Sequence, residues 1–195
     1  DEIMRKETGV NVLQEAKVAL NLYLEEIHIL TKNPDIRTVQ QLEGKRVSVG
    51  PEKSGSALTS EVLLAGFGVK IQRVFDAPEG AVKKLNQGEI DALIFVGGAP
   101  VPAFQKLDKS FHFVALPMDS GLEQIYPKKK IAKSVYPWAD EIDTHAVPSV
   151  IMTRNRTEND YVSAMQRLVL LILSQKDNLD ATGHPKWKDS FVRST

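Results

Sequence analysis

An open α/β sheet is predicted by three features of the 195-residue sequence. Strand-like and helix-like stretches alternate through the middle of the chain. Residues 90–96 are almost continuously apolar, interrupted by Asp91, the pattern of a strand buried on both faces of a parallel sheet. Two backbone-rich bends, Ser54-Gly55-Ser56 and Gly97-Gly98-Ala99-Pro100, fall beyond the carboxyl ends of strands, where open sheets bind ligands.

Taken in order, residues 9–24 hold apolar positions compatible with a helix, and 27–30 read as a short strand ending before Asn33-Pro34. Asp35 or Thr38 starts a helical turn over 38–42, and Gly44 ends it. The stretch 45–68 organises the chain: a strand at 46–49, a turn at Gly50 and Pro51, the Ser-Gly-Ser bend, then a helix with Leu58, Val62 and Ala65 at helical spacing. Residues 70–75 supply the next strand, and Pro78-Glu79 opens a helix over 79–86 that Gly88 closes. After the 90–96 strand come a short helix around 102–107 and a strand at 111–116. In 118–144 the prolines exclude a long helix, and Tyr126, Tyr136 and Trp138 either wall a pocket or cover a core edge. Residues 147–152 read as a strand. The longest helical pattern is 158–174, with Tyr161, Met165, Leu168 and Ile172 on one face and Thr157 as its cap. The tail from His184 shows little periodicity.

Composition narrows the function classes. A formal net charge of zero gives no electrostatic footprint for nucleic acid or an anionic membrane. The short basic run 128–130 reads as a solvated loop. Without cysteine there is no disulfide framework, thiol nucleophile or cysteine metal site. The longest apolar run, 168–173, is far below the roughly 20 residues a membrane helix needs. The start at Asp1 is read as the trace of an upstream segment that has been removed.

The Ser54-Gly55-Ser56 bend has a definite chemistry. Ser54 or Ser56 caps the helix, and Gly55 lets another backbone approach. The first helical N–H groups lack internal partners, so together with the helix dipole they favour a carboxylate or phosphate. The same strand, turn and capped helix also occur in α/β proteins that bind nothing there. Enzyme signatures are weaker still. His28, His112, His145 and His184 show no metal-ligand spacing, the serine bend lacks the Gly-x-Ser-x-Gly elbow, and the glycine bends match neither a P-loop nor a dinucleotide fingerprint. His28 and His112 sit inside apolar strands, where a satisfied core histidine is the default.

The ordered set of motifs resembles the TAXI family, solute receptors of one class of tripartite ATP-independent periplasmic (TRAP) transporters, within the type II periplasmic binding protein fold. The resemblance rests on Leu22-Tyr23 with Glu25-Glu26-Ile27-His28, the run from Leu42 to Gly50, Ser54-Gly55-Ser56, and Leu85 with Gly88-Glu89-Ile90-Asp91-Ala92. It continues in Gly97-Gly98-Ala99-Pro100, Tyr126-Pro127, Ile131, Tyr136 and Val147-Pro148-Ser149-Val150, covering nearly the whole chain. Such receptors are longer, and the part lacking here would be N-terminal. The resemblance implies an α/β fold of two lobes with a hinge, one lobe incomplete. Residues 46–145 would form the inserted second lobe, and 1–45 with 146–195 the remaining parts of the discontinuous first. Hinges would fall near Lys45 and His145, and the incomplete lobe would expose apolar surface open to self-association.

The implied function is capture rather than catalysis, outside the cytoplasm, with membrane transporter subunits as partners and no cofactor, metal or nucleic acid. The solute would be a small organic anion, glutamate-like or another carboxylate. Ser54, Gly55 and Ser56 would hold its carboxylate, while Gly97, Gly98 and Ala99 would offer backbone groups. Phe95, Tyr126 and Trp138 would pack against its carbon chain, and Asp76 or Glu79 would accept an ammonium if the solute is an amino acid. An ABC-type substrate-binding protein and the effector domain of a cytosolic regulator are the alternatives.

Overall fold

The apolar run in the middle of the chain becomes β4 (Ala92–Gly97), and its two faces build two separate cores. In the computed structural model, which describes residues 15–118 and 120–192, Ala92, Ile94 and Val96 join one apolar cluster and Leu93 and Phe95 the other. This is the alternation that a strand with layers on both sides requires. The remaining strands are β1 (Ala16–Thr31), β2 (Arg46–Ser48), β3 (Gln72–Val74), β5 (His112–Phe113), β6 (Lys128–Ile131) and β7 (Ile142–Arg154). The helices are α1 (Gly55–Gly66), α2 (Pro78–Gln87), α3 (Asn159–Ser174) and α4 (Lys176–Thr182). The strand order is β3-β2-β4-β1-β7-β6, with β5 beside β1. β2 is parallel to β3 and β4, whereas β1 is antiparallel to β4 and β6 to β7.

The chain divides into two compact units, Asp1–Leu24 with Pro148–Thr195, and Glu25–Val147. It passes between them within β1 and within β7. The central unit begins well before Lys45, because Glu26 to Thr31 pair residue by residue with Gly97 to Ala92. In that unit α1 lays Leu63 and Leu64 on the cluster around Ile27, Val47 and Ile94, and α2 lays Ala81 and Leu85 on the cluster around Leu93 and Phe104. Pro78 opens α2, and Gly88 closes it with φ of 70°, a left-handed turn that glycine takes without strain.

Several elements differ from the sequence expectation. Of the helix expected over 9–24, residues 9–14 lie outside the described residues, and the rest is the first half of β1. Val18, Leu20, Leu22 and Leu24 also recur with period two, and pairing with distant strands selects the strand. The basic run 128–130 is no solvated loop but β6, an edge strand whose register sets Lys128 against His145 and Lys130 against Asp143. Lys130 Nζ reaches Glu141 at 2.8 Å and Asp143 at 3.4 Å, so the lysines mark a charged edge that resists further pairing. The strand expected over 111–116 shortens to two residues, and the helix at 102–107 to a 3-10 turn, Pro102–Phe104. Glu158, not Thr157, is the N-cap of α3. The tail, which shows little period, forms α4 and a 3-10 turn, Pro185–Asp189.

Asp91, the polar break in the β4 run, ties the starts of two strands together. Its carboxylate accepts from the Arg46 backbone N–H at 2.8 Å and faces the Arg46 guanidinium at 3.3 Å. Burial raises its pKa, but the Arg46 hydrogen bonds and charge outweigh this and hold it below the usual carboxylate range. A depressed folded-state pKa contributes stability above the unfolded value and loses it as pH falls through the folded value. Asp91→Asn is therefore expected to lower stability at neutral pH by about 1 kcal/mol or less, the pair being partly exposed. The variant and wild type should converge in urea titrations as the pH falls through the lowered folded-state pKa of Asp91.

Candidate functional site

Both bends lie at the same end of the sheet, and Ser56 fastens one to the other. α1 begins as expected: Ser54 is its N-cap, and its Oγ accepts from the Ala57 N–H at 3.2 Å. Ser56, one residue inside the helix, is 6% exposed, and its Oγ accepts from the Val96 N–H at 3.0 Å and donates to the Val96 carbonyl at 3.3 Å. The hydroxyl expected to meet a ligand is thus committed to the end of β4. Gly50 makes the approach possible: its φ is 87°, and a Cβ there would sit 2.7 Å from Ser56 Cβ.

Two donors remain at the mouth of α1. Among the described residues the Gly55 and Ser56 N–H groups have no hydrogen-bond partner. A Cβ built on Gly55 meets nothing within 4 Å, so there is open space beside these donors on the Gly55 side. Open space, unpaired N–H groups and the positive end of a twelve-residue helix together favour a carboxylate or phosphate.

The glycine bend is held from beneath by residues that sequence reading did not place in the site. Glu26, 2% exposed, accepts from the Ala99 N–H at 2.9 Å through Oε2. That N–H is therefore not offered to a ligand. The Tyr136 hydroxyl accepts from the Val101 N–H at 2.7 Å and contacts His28 Nε2 at 3.1 Å, while His28 Nδ1 lies 2.9 Å from the Glu26 carbonyl. The network assigns the His28 proton to Nδ1, which donates to that carbonyl, so the Tyr136 hydroxyl donates to Nε2. Burial drives the Tyr136 hydroxyl far above the ordinary phenol range. Phe95 turns back over Gly97, where a Cβ would meet its ring at 2.7 Å.

The remaining expected residues scatter. Asp76 Oδ1 is paired with Lys84 at 2.8 Å, while Oδ2 is enclosed and has no hydrogen-bond partner among the described residues. Glu79 is exposed in the first turn of α2. Tyr126 belongs to the α1-side cluster and Trp138 packs on the α2-side cluster, so the sheet separates them and they do not wall one pocket. Burial raises the Tyr126 hydroxyl above its usual range, and a Thr59 hydrogen bond draws it partly back. The helix face also differs from expectation: Leu58 is 44% exposed, and α1 buries Ser56, Thr59, Ser60, Leu63 and Leu64 instead. Leu58 and Val62 are at helical spacing, yet the face that the Ser56 bond to Val96 turns to the sheet is the one carrying Ser56, Thr59, Ser60 and Leu63.

Comparison with known proteins supplies the wider context. The model of the NMT1-like family matches residues 9–190. Among solved structures, an amino acid ABC transporter substrate-binding protein from Streptococcus pneumoniae bound to L-arginine is 12% identical with a TM-score of 0.51, covering 91% of this chain and 63% of that one. An ancestral arginine-binding protein bound to glutamine is 16% identical with a TM-score of 0.50, covering 96% of this chain and 66% of that one. A periplasmic binding protein from Brucella ovis with glutathione bound, 13% identical at a TM-score of 0.45, matches 95% of this chain, which spans only 52% of its length. The fold is that of type II periplasmic binding proteins, and this chain spans from about half to two-thirds of these structures.

Proposed function

The chain belongs to the NMT1-like family, and from that premise we propose that it is an extracytoplasmic solute receptor capturing a small organic anion, glutamate-like or another carboxylate, for a TRAP-type secondary transporter. The observation that carries the anion is the pair of N–H groups at Gly55 and Ser56, without a hydrogen-bond partner among the described residues and with open space where a Gly55 side chain would lie. The proposed role is capture, with the Ser54 hydroxyl and the two N–H groups gripping the carboxylate. Phe95 and the Gly97-Gly98-Ala99 bend line the approach, and Asp76 or Glu79 receives an ammonium if the solute carries one. Among the described residues no helix is long and apolar enough to cross a membrane.

The ABC-type reading stands beside it, favoured by the fold likeness to the Streptococcus pneumoniae amino acid ABC transporter protein. Native mass spectrometry of the purified protein, followed by denaturing mass on the same sample, tests the shared part of both readings. A co-purified small acid supports a carboxylate receptor and identifies its class. A bare chain that also shows no thermal shift with L-glutamate, L-arginine or a panel of small dicarboxylates overturns it.

Self-association belongs to the same proposal. α3 carries a wide apolar face that includes Leu168, Leu171 and Ile172, with Leu170 on its polar side, a pattern that calls for cover. Yet it buries no residue, and Leu168, Leu170 and Leu171 are 41%, 60% and 58% exposed. A second copy of the chain is the proposed cover. Sedimentation velocity should show a concentration-dependent dimer that Leu170→Glu with Leu171→Glu abolishes, and a monomer at every concentration in wild type would dismiss it.

A further inference from the structure

We propose that the concavity at the far end of the central unit, away from the two bends, is a second binding site, for a small planar aromatic carboxylate. β1 carries the distance between them: Glu26 lies opposite Gly97, whereas Thr31 lies opposite Ala92 and also faces His112. At a rise of about 3.3 Å per residue, the His112 end lies roughly 17 Å along the sheet from the bends.

The cavity holds about 420 Å³, the lower end of the range for small-molecule sites. Its apolar lining is already assembled. The Phe113 and Trp138 rings lie 5.0 Å apart by centroid, and Phe111 and Trp138 6.4 Å apart. The Trp138 indole is fixed by its N–H donating to the Phe104 carbonyl at 2.7 Å. A flat guest therefore meets ring surfaces that need no ordering on binding.

Charge at the rim chooses the guest's sign. Asp140 is answered by Lys133 at 3.0 Å and Glu141 by Lys130 at 2.8 Å. Arg37 and Lys109, which also line the cavity, have no carboxylate partner among the described residues; the Arg37 Nε donates to the Pro34 carbonyl at 2.8 Å. Two uncompensated cations beside pre-formed aromatic walls match an anion with a planar apolar body. His112 adds a preference. Its Nε2 lies 2.9 Å from the Ile36 carbonyl and so carries the proton, which leaves Nδ1 as an acceptor on a ring that lines the cavity. A hydroxyl or ring N–H on the guest then has a partner.

Fluorine NMR of para-fluorobenzoate with the whole chain tests the proposal, with para-fluorobenzamide as the neutral isostere. The acid is expected to bind at least about tenfold more tightly than the amide, and Arg37→Gln with Lys109→Gln to weaken it by a similar factor. Both substituted positions are exposed, so the variant keeps its fold, which circular dichroism checks. Gly55→Val is expected to leave this binding unchanged, which separates the site from the anion site at α1. Equal binding of acid and amide, undiminished binding by the double variant, loss of binding in Gly55→Val, or no binding of the acid would each overturn it.

Discussion

Gly55→Val is expected to weaken capture of a carboxylate solute by about a hundredfold or more while leaving the melting temperature of the free protein nearly unchanged. The two halves of that result have separate physical sources. A Cβ on Gly55 finds nothing within 4 Å, and its φ does not lie in the left-handed region, so valine meets neither a clash nor backbone strain. Replacing glycine in the first turn also reduces the entropy of the unfolded chain, so stability is expected to move by less than about 1 kcal/mol. The branched side chain instead occupies the volume in front of the Gly55 and Ser56 N–H groups. It displaces a ligand oxygen from donors whose charge-assisted bonds are each worth roughly 1.5–3 kcal/mol. Ligand-dependent thermal shift with L-glutamate and the dicarboxylate panel is the measurement, because a bound ligand raises the melting temperature by mass action. A variant that keeps the wild-type shift would place the anion elsewhere. Ser56→Ala is a poorer probe, since Ser56 Oγ is bonded to Val96 and its loss disturbs the fold as well as the site.

How much of this was legible depended on whether the deciding interaction was local. The strand, bend and capped helix around Ser54 could be read because the Ser54 cap and the unpaired helical N–H groups are properties of a few consecutive residues. The same holds for α2, framed by Pro78 and Gly88, and for β4, whose composition reports burial on both faces. The first half of β1 reads as helix because its apolar spacing fits either period, and nothing local chooses between them. β6 reads as a solvated loop because its lysines are held by main-chain pairing with β7, which composition does not reveal. The grip on the glycine bend had no local signal at all. Glu26 and Ala99 are 73 positions apart, and His28 and Tyr136 are 108 apart. A sequence shows Glu26 as one more acid before a strand; only the fold shows it enclosed with its carboxylate on a backbone N–H. Tyr126 and Trp138 illustrate the converse. Within 118–144 they read either as walls of a pocket or as cover for a core edge, and the two lie on opposite sides of the sheet.

Tyr136→Phe is expected to cost about 2–4 kcal/mol of stability, large against the roughly 5–15 kcal/mol typical of a whole domain. The substitution leaves the ring in place and removes one oxygen, so a cavity of ordinary size does not explain a loss of that magnitude. The oxygen has two duties at a position 1% exposed: it accepts from the Val101 N–H and donates to His28 Nε2. Phenylalanine leaves the Val101 N–H without an acceptor in a buried setting, and deprives His28 of the donor that fixes its ring against the Glu26 carbonyl. Phe104 and Phe113 crowd the same ring at centroid distances of 6.4 Å and 5.3 Å, so a water has little room to take the hydroxyl's place. Urea denaturation should show the midpoint falling at an unchanged slope. Amide exchange gives the sharper discriminant: the Val101 N–H should lose protection by more than the global loss of stability accounts for, because it then lacks its own acceptor while Glu26 still holds the Ala99 N–H. A variant within about 0.5 kcal/mol of wild type would mean that the Val101 N–H finds another acceptor, and that the bend is held by packing rather than by this chain of hydrogen bonds.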